Sequence, residues 1–442
     1  MTKHVLCALA LFLFETGAYS ADFTCASGNT ACLIAAIQTA NANGQDNAIF
    51  LEAGAYEIVI HDNVTNGPNG LPSITGRMSI RGPDGIGSTI ENPSDIDDFR
   101  LFHIAPGGNL TLDWLALTRG RVGSLPNTPP GFGGGAILNE GTLTINRNAI
   151  YNNTTSFRNG GAIDNRGSLA ISHSEIRNNH AERDGGGGIV SIGSLSIEDT
   201  FIVSNTSDFG GGIWLPSGQG VLLRTTIAGN NDFGFGGGGI SNGGTLSIQN
   251  STLRENSSSG VRGGGGGIFN SGVLDMTSST VSGNGTIFIG TRGAGIRNTG
   301  NMFLKNVTIA ENAALEGFDG GISNTGTARL QNTILALNSR ILVPGGPVPS
   351  DCNSISSLGN NLIGSLDGCT VQLRMTDLVT NPLLNDFTEV PNVAGSGHFP
   401  LQLLSPAVNR GNEGACTPRD QLGRRRLGIC DIGAIERRLP GL

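Results

Sequence analysis

Between Gly133 and Ser339 one unit recurs eight times: a Gly run, an Ile, a polar turn, an alternating apolar pair, then an Ile or Val followed by Asn. It reads GGGAILNEGTLTINRNAIYNN at 133–153 and GGAIDNRGSLAISHSEIRNN at 160–179. The opening residues are Ile137, Ile163, Ile189, Ile213, Ile240, Ile268, Ile296 and Ile322, spaced 26, 26, 24, 27, 28, 28 and 26. Insertions fall around the Gly runs, which marks those segments as turns. Inside each unit apolar and polar residues alternate, as in Leu143/Ile145, Leu169/Ile171 and Leu246/Ile248, and a period of two means a strand with one buried face. Each strand is too short to pair with its neighbour in sequence. A unit of about 26 residues with three short strands, stacked on its copies about 4.8 Å apart, is one coil of a parallel β-helix. A leucine-rich horseshoe would need a helical half to its repeat, and a propeller blade about 40 residues. A Ca-binding nonapeptide roll puts Asp after its glycines, whereas here Asp comes first, as in Asp184-Gly185-Gly186.

A second register runs through the same units. Asn153, Asn179, Asn205, Asn230, Asn256, Asn284 and Asn312 recur at 26, 26, 25, 26, 28 and 28 residues. Asn tolerates left-handed backbone and can bond the backbone of its own turn. Stacked at one corner, each amide can also bond the next, so these residues are expected to form a structural ladder. Gly makes up 70 of 442 residues, well above ordinary usage. Collagen is excluded because no Gly recurs every third residue, and disorder because apolar residues are spread throughout. The net charge of −8 argues against a nucleic-acid partner.

Residues 1–20 read as a secretory signal, with Lys3 and His4, ten apolar residues from Val5 to Phe14, and small residues at Ala18 and Ser20. Ten apolar residues are too few to span a membrane, and no later segment does better. Residues 21–342 are expected to form the β-helix with an N-terminal cap, its regular repeats at 133–339, and 343–442 irregular C-terminal coils and a disulfide-tied end. The cap is an amphipathic helix over Cys32–Ala42, followed by a strand at Ala48–Leu51 and three or four early coils. Pro344–Pro349 reads as a loop, and Leu362-Ile363 as one more coil. Once the signal with Cys7 is gone, six cysteines remain in an exported chain, which suggests disulfides. The favoured pairs are the local ones: Cys25 with Cys32, Cys352 with Cys369, and Cys416 with Cys430. Zinc has no Cys-x-x-Cys or His cluster to support it. A soluble, extracellular or periplasmic monomer is the expected product.

These residues resemble the right-handed parallel β-helix superfamily that includes pectate lyases. Within it they are most similar to bacterial exported choice-of-anchor Q proteins, whose repeats are like those of polymorphic outer membrane proteins. The start, Leu33 to Asn43 and then Ile49 to Tyr56, matches that family's entry helix and first strand, but lacks its usual Arg-Glu. The more specific match is at the end: Ser405-Pro-Ala-Val-Asn-Arg-Gly411, Cys416, Asp420-Gln-Leu-Gly-Arg424 and Cys430-Asp-Ile-Gly-Ala-Ile-Glu436. The resemblance implies the fold and an exported setting, and little about a reaction. The family often continues into a surface anchor, which the reading does not find before Leu442.

Enzymes on this scaffold cluster carboxylates near an Arg or Lys, so the site must be sought in the residues themselves. The polygalacturonase-type Gly-His-Gly and Arg-Ile-Lys motifs are absent, and His61, His103, His173, His180 and His398 share no spacing. Arg158, Asp184 and Asp208 each precede an anchor Ile by five residues in consecutive coils, with Asp232 and Asp319 near equivalent turns. Stacking would set the two carboxylates about 5 Å apart, near the spacing of a retaining glycosidase pair; ordinary Asp-Gly turn chemistry is the competing reading. Asp95, Asp97, Asp98 and Arg100 form an acidic patch that Ca²⁺ could use, set against an acidic loop leading into the strand at Leu101. Arg424 to Arg426 is a basic run, set against a solvated disulfide loop. Trp114 and Trp214 are sugar-stacking candidates if exposed, Trp214 the better because it follows its anchor and should point outward. The leading functional expectation is a non-catalytic surface for a glycan or cell-surface partner, with no resident cofactor. The alternative is a polysaccharide lyase, glycoside hydrolase or epimerase. Ice binding needs flat ranks of Thr-x-Thr, which are not found.

Overall fold

A computed structural model describes residues 21–93, 97–123, 132–260 and 263–437. The chain is a right-handed parallel β-helix of about 13 coils. One coil shows how the repeat is spent. Ile137–Asn139 lies in a nine-stranded sheet (sheet I), Thr142–Asn146 in a 14-stranded sheet (sheet II) and Ala149–Tyr151 in a 13-stranded sheet (sheet III). Thr154–Ser156 then enters a ten-stranded sheet (sheet IV), and the Gly run leads back to sheet I. Three strands per coil were expected and four are present. The fourth carries no apolar alternation, because its inward row is Thr155, Ala181, Ser207, Asp232, Ser258, Thr286 and Ala314, all buried.

The opening Ile residues pair in register from Ile137 through Ile322 and sit at the centre of the core. The corner from sheet IV to sheet I requires Gly. A Cβ on Gly160, whose φ is +69°, would lie 2.3 Å from the Ile163 carbonyl oxygen, and one on Gly161 would lie 2.3 Å from that of Gly187. Such contacts are impossible for any larger residue.

At the corner between sheets III and IV, each ladder Asn ties two coils together. Asn179 donates from Nδ2 to the Asn205 side-chain oxygen at 3.0 Å and to the Ile150 carbonyl at 3.0 Å, while its own side-chain oxygen accepts from Asn153 Nδ2 at 3.0 Å. The same pattern runs to Asn312, then to Asn338, and ends on the carboxylate of Asp351. A second Asn row, not anticipated, lies at the exit of sheet I. Asn139 donates to Asn165 at 2.7 Å, and Asn242, Asn270, Asn298 and Asn324 follow in line. Its signal is present in the sequence as Asn two residues after the anchor Ile.

The cap helix spans Thr30–Ala42, two residues earlier than expected, because Asn29 accepts from the Cys32 backbone N–H at 3.0 Å. Leu33, Ala36, Ile37 and Ala40 cover the end of the stack. A strand before it, Ala21–Cys25, pairs with Asp46–Leu51 and was not foreseen. All three local disulfides are formed. Among the described residues no helix is long and apolar enough to cross a membrane.

The C-terminal part departs most from expectation. Pro344–Pro349 is not a loop: Gly346–Pro349 pairs antiparallel with Ser339–Leu342 to make a hairpin. Leu362–Ile363 does belong to a further coil, followed by Leu378–Val379. The chain then turns back, and residues 381–437 run along the outside of sheet III as a strap. That face offers Thr226, Thr252, Thr280 and Thr308 in register. Gly395 N–H donates to Thr226 at 2.8 Å, Thr252 donates to the Gly397 carbonyl at 2.9 Å, Thr280 donates to Gln421 at 2.6 Å, and Ala434 N–H donates to Thr308 at 3.1 Å. Arg254 grips Glu389 through Nε and Nη2 at 2.9 and 3.0 Å.

Replacing a central ladder residue, Asn205→Ala, strands the buried backbone N–H of Asn179 and one hydrogen of its side-chain amide, and takes away the donor to the Ile176 carbonyl. Each orphaned group costs about 1–3 kcal/mol, so a loss of about 2–4 kcal/mol is expected in urea denaturation. A loss under 0.5 kcal/mol would show the ladder to be incidental.

Candidate functional site

Along sheet I, every second side chain alternates to the outside: His103, Leu138, Asp164, Val190, Trp214, Ser241, Phe269, Arg297 and Ser323. Most are nonetheless buried, because the segment preceding each Gly run folds over them. Gly133 N–H reaches the Asp164 carboxylate at 2.9 Å, and the Trp214 ring lies against Gly185. The result is a seam along the helix axis, with sheet I as floor and the pre-Gly segments as outer wall.

Arg158, Asp184 and Asp208 lie in that wall. Gly185 pairs with Phe209, so Asp184 and Asp208 stand in adjacent coils. Two extra residues bulge out at Glu182–Asp184, and Arg183 takes φ +60° to accommodate them. Burial and the charge of Asp208 raise the Asp184 pKa, while the Gly185 N–H at 3.0 Å and the charge of Arg158 oppose the rise. The Asn159 amide, oriented with nitrogen toward the carboxylate, donates to both oxygens of Asp184, at 2.9 Å to Oδ2. Asp184 is therefore a half-buried acid beside a second carboxylate and a cation. Asp232 does not join it. It is fully buried in the inward row of sheet IV, where Ser258 donates to it at 2.8 Å, and burial pushes its pKa up to about 7. Asp319 is also buried and raised, with Ser323, Arg292 and Arg340 opposing.

Trp214 does point outward, but its faces are used. One rests on Gly185, and the ring stacks on Phe209 at 5.3 Å, which in turn stacks on Phe235 at 4.5 Å. Trp214 is thus only partly exposed, its ring packed against Gly185 and Phe209. Trp114 sits at the corner between sheets II and III, with Arg147 over it at 5.4 Å. The exposed aromatics are phenylalanines. Among the described residues six Phe are exposed, and five of them, Phe157, Phe233, Phe235, Phe288 and Phe318, lie in the wall of the seam. Arg183 stands over Phe157 and Arg292 over Phe318, each at 4.7 Å. Phe157 and Phe318 are six coils apart, which is about 29 Å along the axis.

The other charged runs are dispersed. Asp95 lies outside the described residues. Asp97 holds His61, accepting from its backbone N–H at 2.9 Å and meeting Nδ1 at 2.8 Å, and these contacts lower the Asp97 pKa. Asp98 faces Arg121 at 3.7 Å, while Arg100 turns inward and is fully buried. Arg100 donates to the Asn69 side chain at 2.9 Å and to the Asn66 carbonyl at 3.1 Å, and burial pulls its pKa down to about 10. It belongs to a network that sequence reasoning missed: His103 joins Ser73 at 2.8 Å and Glu140 at 2.9 Å, and Arg166 clamps Asp164 at 3.2 Å. Its members come from different coils, so no local motif announces them. Arg100 is thus a clasp holding 62–74 onto sheet I, while Asp97 and Asp98 turn to different partners, His61 and Arg121. Among the described residues no three His, Cys, Asp or Glu gather in a way that could hold a metal. In the basic run, Arg426 is buried and pairs with Glu436 at 3.1 Å, so this part of the run supports the strap instead of facing a polyanion.

No family model matches the chain. No curated protein matches it either. Among solved structures it is similar to the crystal structure of pectate lyase Pel9A, at 12% identity and a TM-score of 0.41, over 95% of this chain and 97% of the other.

The buried carboxyls set a pH dependence. Asp232 and Asp431, raised to about 7 and about 6, stay protonated in the folded chain where the unfolded chain has already ionised. Their contribution is fully present below about pH 4 and is lost as pH rises through 6 to 7. In thermal unfolding across pH 4 to 8, Asp232→Asn is expected to match the parent at pH 4 and to exceed it at pH 8 by about 2–4 kcal/mol. Equal slopes in the two proteins would refute the assignment.

Proposed function

We propose that this is an exported, non-catalytic β-helix protein that binds an extended glycan along the seam. The observation that carries the reading is the concentration of exposed rings there: five of the six exposed Phe lie in one wall. Exposed rings gathered on one wall mark an interaction site, and rings spread over about 29 Å suit a polymer better than a small molecule. Asp208, Asp184 and the Asn159 amide add hydrogen-bonding groups along it. Three disulfides fit an oxidising compartment, and the segments Ser405–Gly411 and Asp420–Arg424 support a kinship with choice-of-anchor Q proteins. In this reading the protein acts as a monomer, and Ca²⁺ has no part in binding.

A second reading, a lyase or hydrolase, is favoured by one observation: Asp184 is a raised carboxyl next to Asp208 and Arg158. Affinity electrophoresis of the exported chain through neutral and uronic-acid polysaccharides, with reducing ends and unsaturated uronate assayed in parallel, separates the two. Binding is expected to retard migration without product, and Phe233→Ala with Phe235→Ala is expected to weaken the retardation about tenfold. Product formation that Asp184→Asn abolishes would establish the enzyme instead.

A further inference from the structure

The strap does not run the full length of sheet III. It stops at a turn formed by Asn392, Val393 and Ala394, and beyond that tip the same face is open. A cleft of about 600 Å³ lies there, bounded by the strap tip and by the coils carrying His173, Glu175, Asp199 and Phe201. It is on a different side of the coil from the seam, and its volume falls in the range of about 300–1,000 Å³ typical of small-molecule sites.

The first position of each sheet III strand faces the strap or the cleft. Where the strap lies, that position is Thr226, Thr252, Thr280 or Thr308; in the cleft it is Glu175 and Phe201. The side chains change at the point where the strap ends. His173 sits at the corner with φ +48°, and its Nε2 is 3.7 Å from Asp199 Oδ2. Both carboxylates are matched by cations outside the opening. Arg224 holds Asp199 through Nε at 2.6 Å and Nη2 at 2.8 Å and also meets Glu198, while Arg177 holds Glu175 at 3.2 Å. Such pairing orients the remaining lone pairs of each carboxylate and cancels most of the local charge.

We propose that this cleft is a second carbohydrate site, one that takes the end of a neutral hexose oligosaccharide. Oriented carboxylates accept from vicinal hydroxyls, the Phe201 ring offers an apolar face, and charge compensation leaves no advantage to an anionic sugar. The strap tip stands at one end of the cleft and Ile86 at the other, so a short chain terminus fits and a passing polymer does not. This site stands whether or not the seam binds a polymer.

The test is NMR of the His173 imidazole in the full exported chain, titrated with neutral disaccharides of glucose, galactose and mannose, and with a uronic-acid disaccharide. A saturable shift with at least one neutral disaccharide, weaker by tenfold or more with the uronic acid, is expected. Phe201→Ala should weaken it about tenfold, and Phe235→Ala should leave it unchanged. Val393→Trp, at an exposed strap position, fills the cleft without touching the core and should abolish the shift. No shift with any neutral disaccharide at 50 mM ligand, or one that survives Val393→Trp, overturns the proposal.

Discussion

Every coil of this protein leaves its backbone groups and its corner amides to be satisfied by the next coil, and that constraint organises everything else. A strand of three residues such as Ile163–Asn165 has no stability of its own; it exists because Ile137–Asn139 and Ile189–Ser191 lie on either side. The corners are harder to satisfy than the strands, since turning the chain buries polar groups that a sheet would pair. Two solutions are used at three corners. Asn stacks on Asn after sheet III and after sheet I, and between sheets II and III the hydroxyls of Ser174, Thr200 and Ser251 take the same part, as when Ser174 accepts from the Asn148 N–H at 3.0 Å. The fourth corner has Gly, where backbone approaches backbone with no room for a side chain.

What was legible in the sequence follows from this economy. Anything repeated in every coil appears as a period, so Ile137 to Ile322 and Asn153 to Asn312 could be placed in register by counting. Counting five residues back from the anchor also aligned Asp184 with Asp208, even though a bulge precedes Asp184, because both were measured from the same side of it. Asp232, expected only near an equivalent turn, lies eight residues before Ile240, and the longer segment between them leaves it in the inward row of sheet IV. The exit row at Asn139 and Asn165 is interrupted by Ser191 and Leu215 before it resumes at Asn242, which blurs its period.

The rest had no period to betray it. The strap contacts join residues as far apart in sequence as 171 positions for Asn250 with Gln421 and 111 for Thr417 with Asn306. The clasp around Arg100 draws single residues from separate coils. Whether Trp214 shows a face or an edge depended on Phe209, five residues earlier and across a Gly corner. Contacts of this kind are set by three-dimensional packing, and composition or spacing carries no trace of them.

The returning strap alters how such a stack can come apart. A simple solenoid is a row of neighbours, and its end coils can fray one at a time at little cost to the rest. Here the segment beyond the last coil is fastened at Thr308, Thr280, Thr252 and Thr226 in turn. To release the last coil, the chain must either drag this fastening off several earlier coils or leave the tail attached and the coil looped out between two fixed points. Both raise the barrier to opening at the end that has no helix over it. The molecule is capped at one end by a lid and at the other by a seam sewn back through its own side, and an unfolding event that starts at the C-terminus has to involve the middle as well.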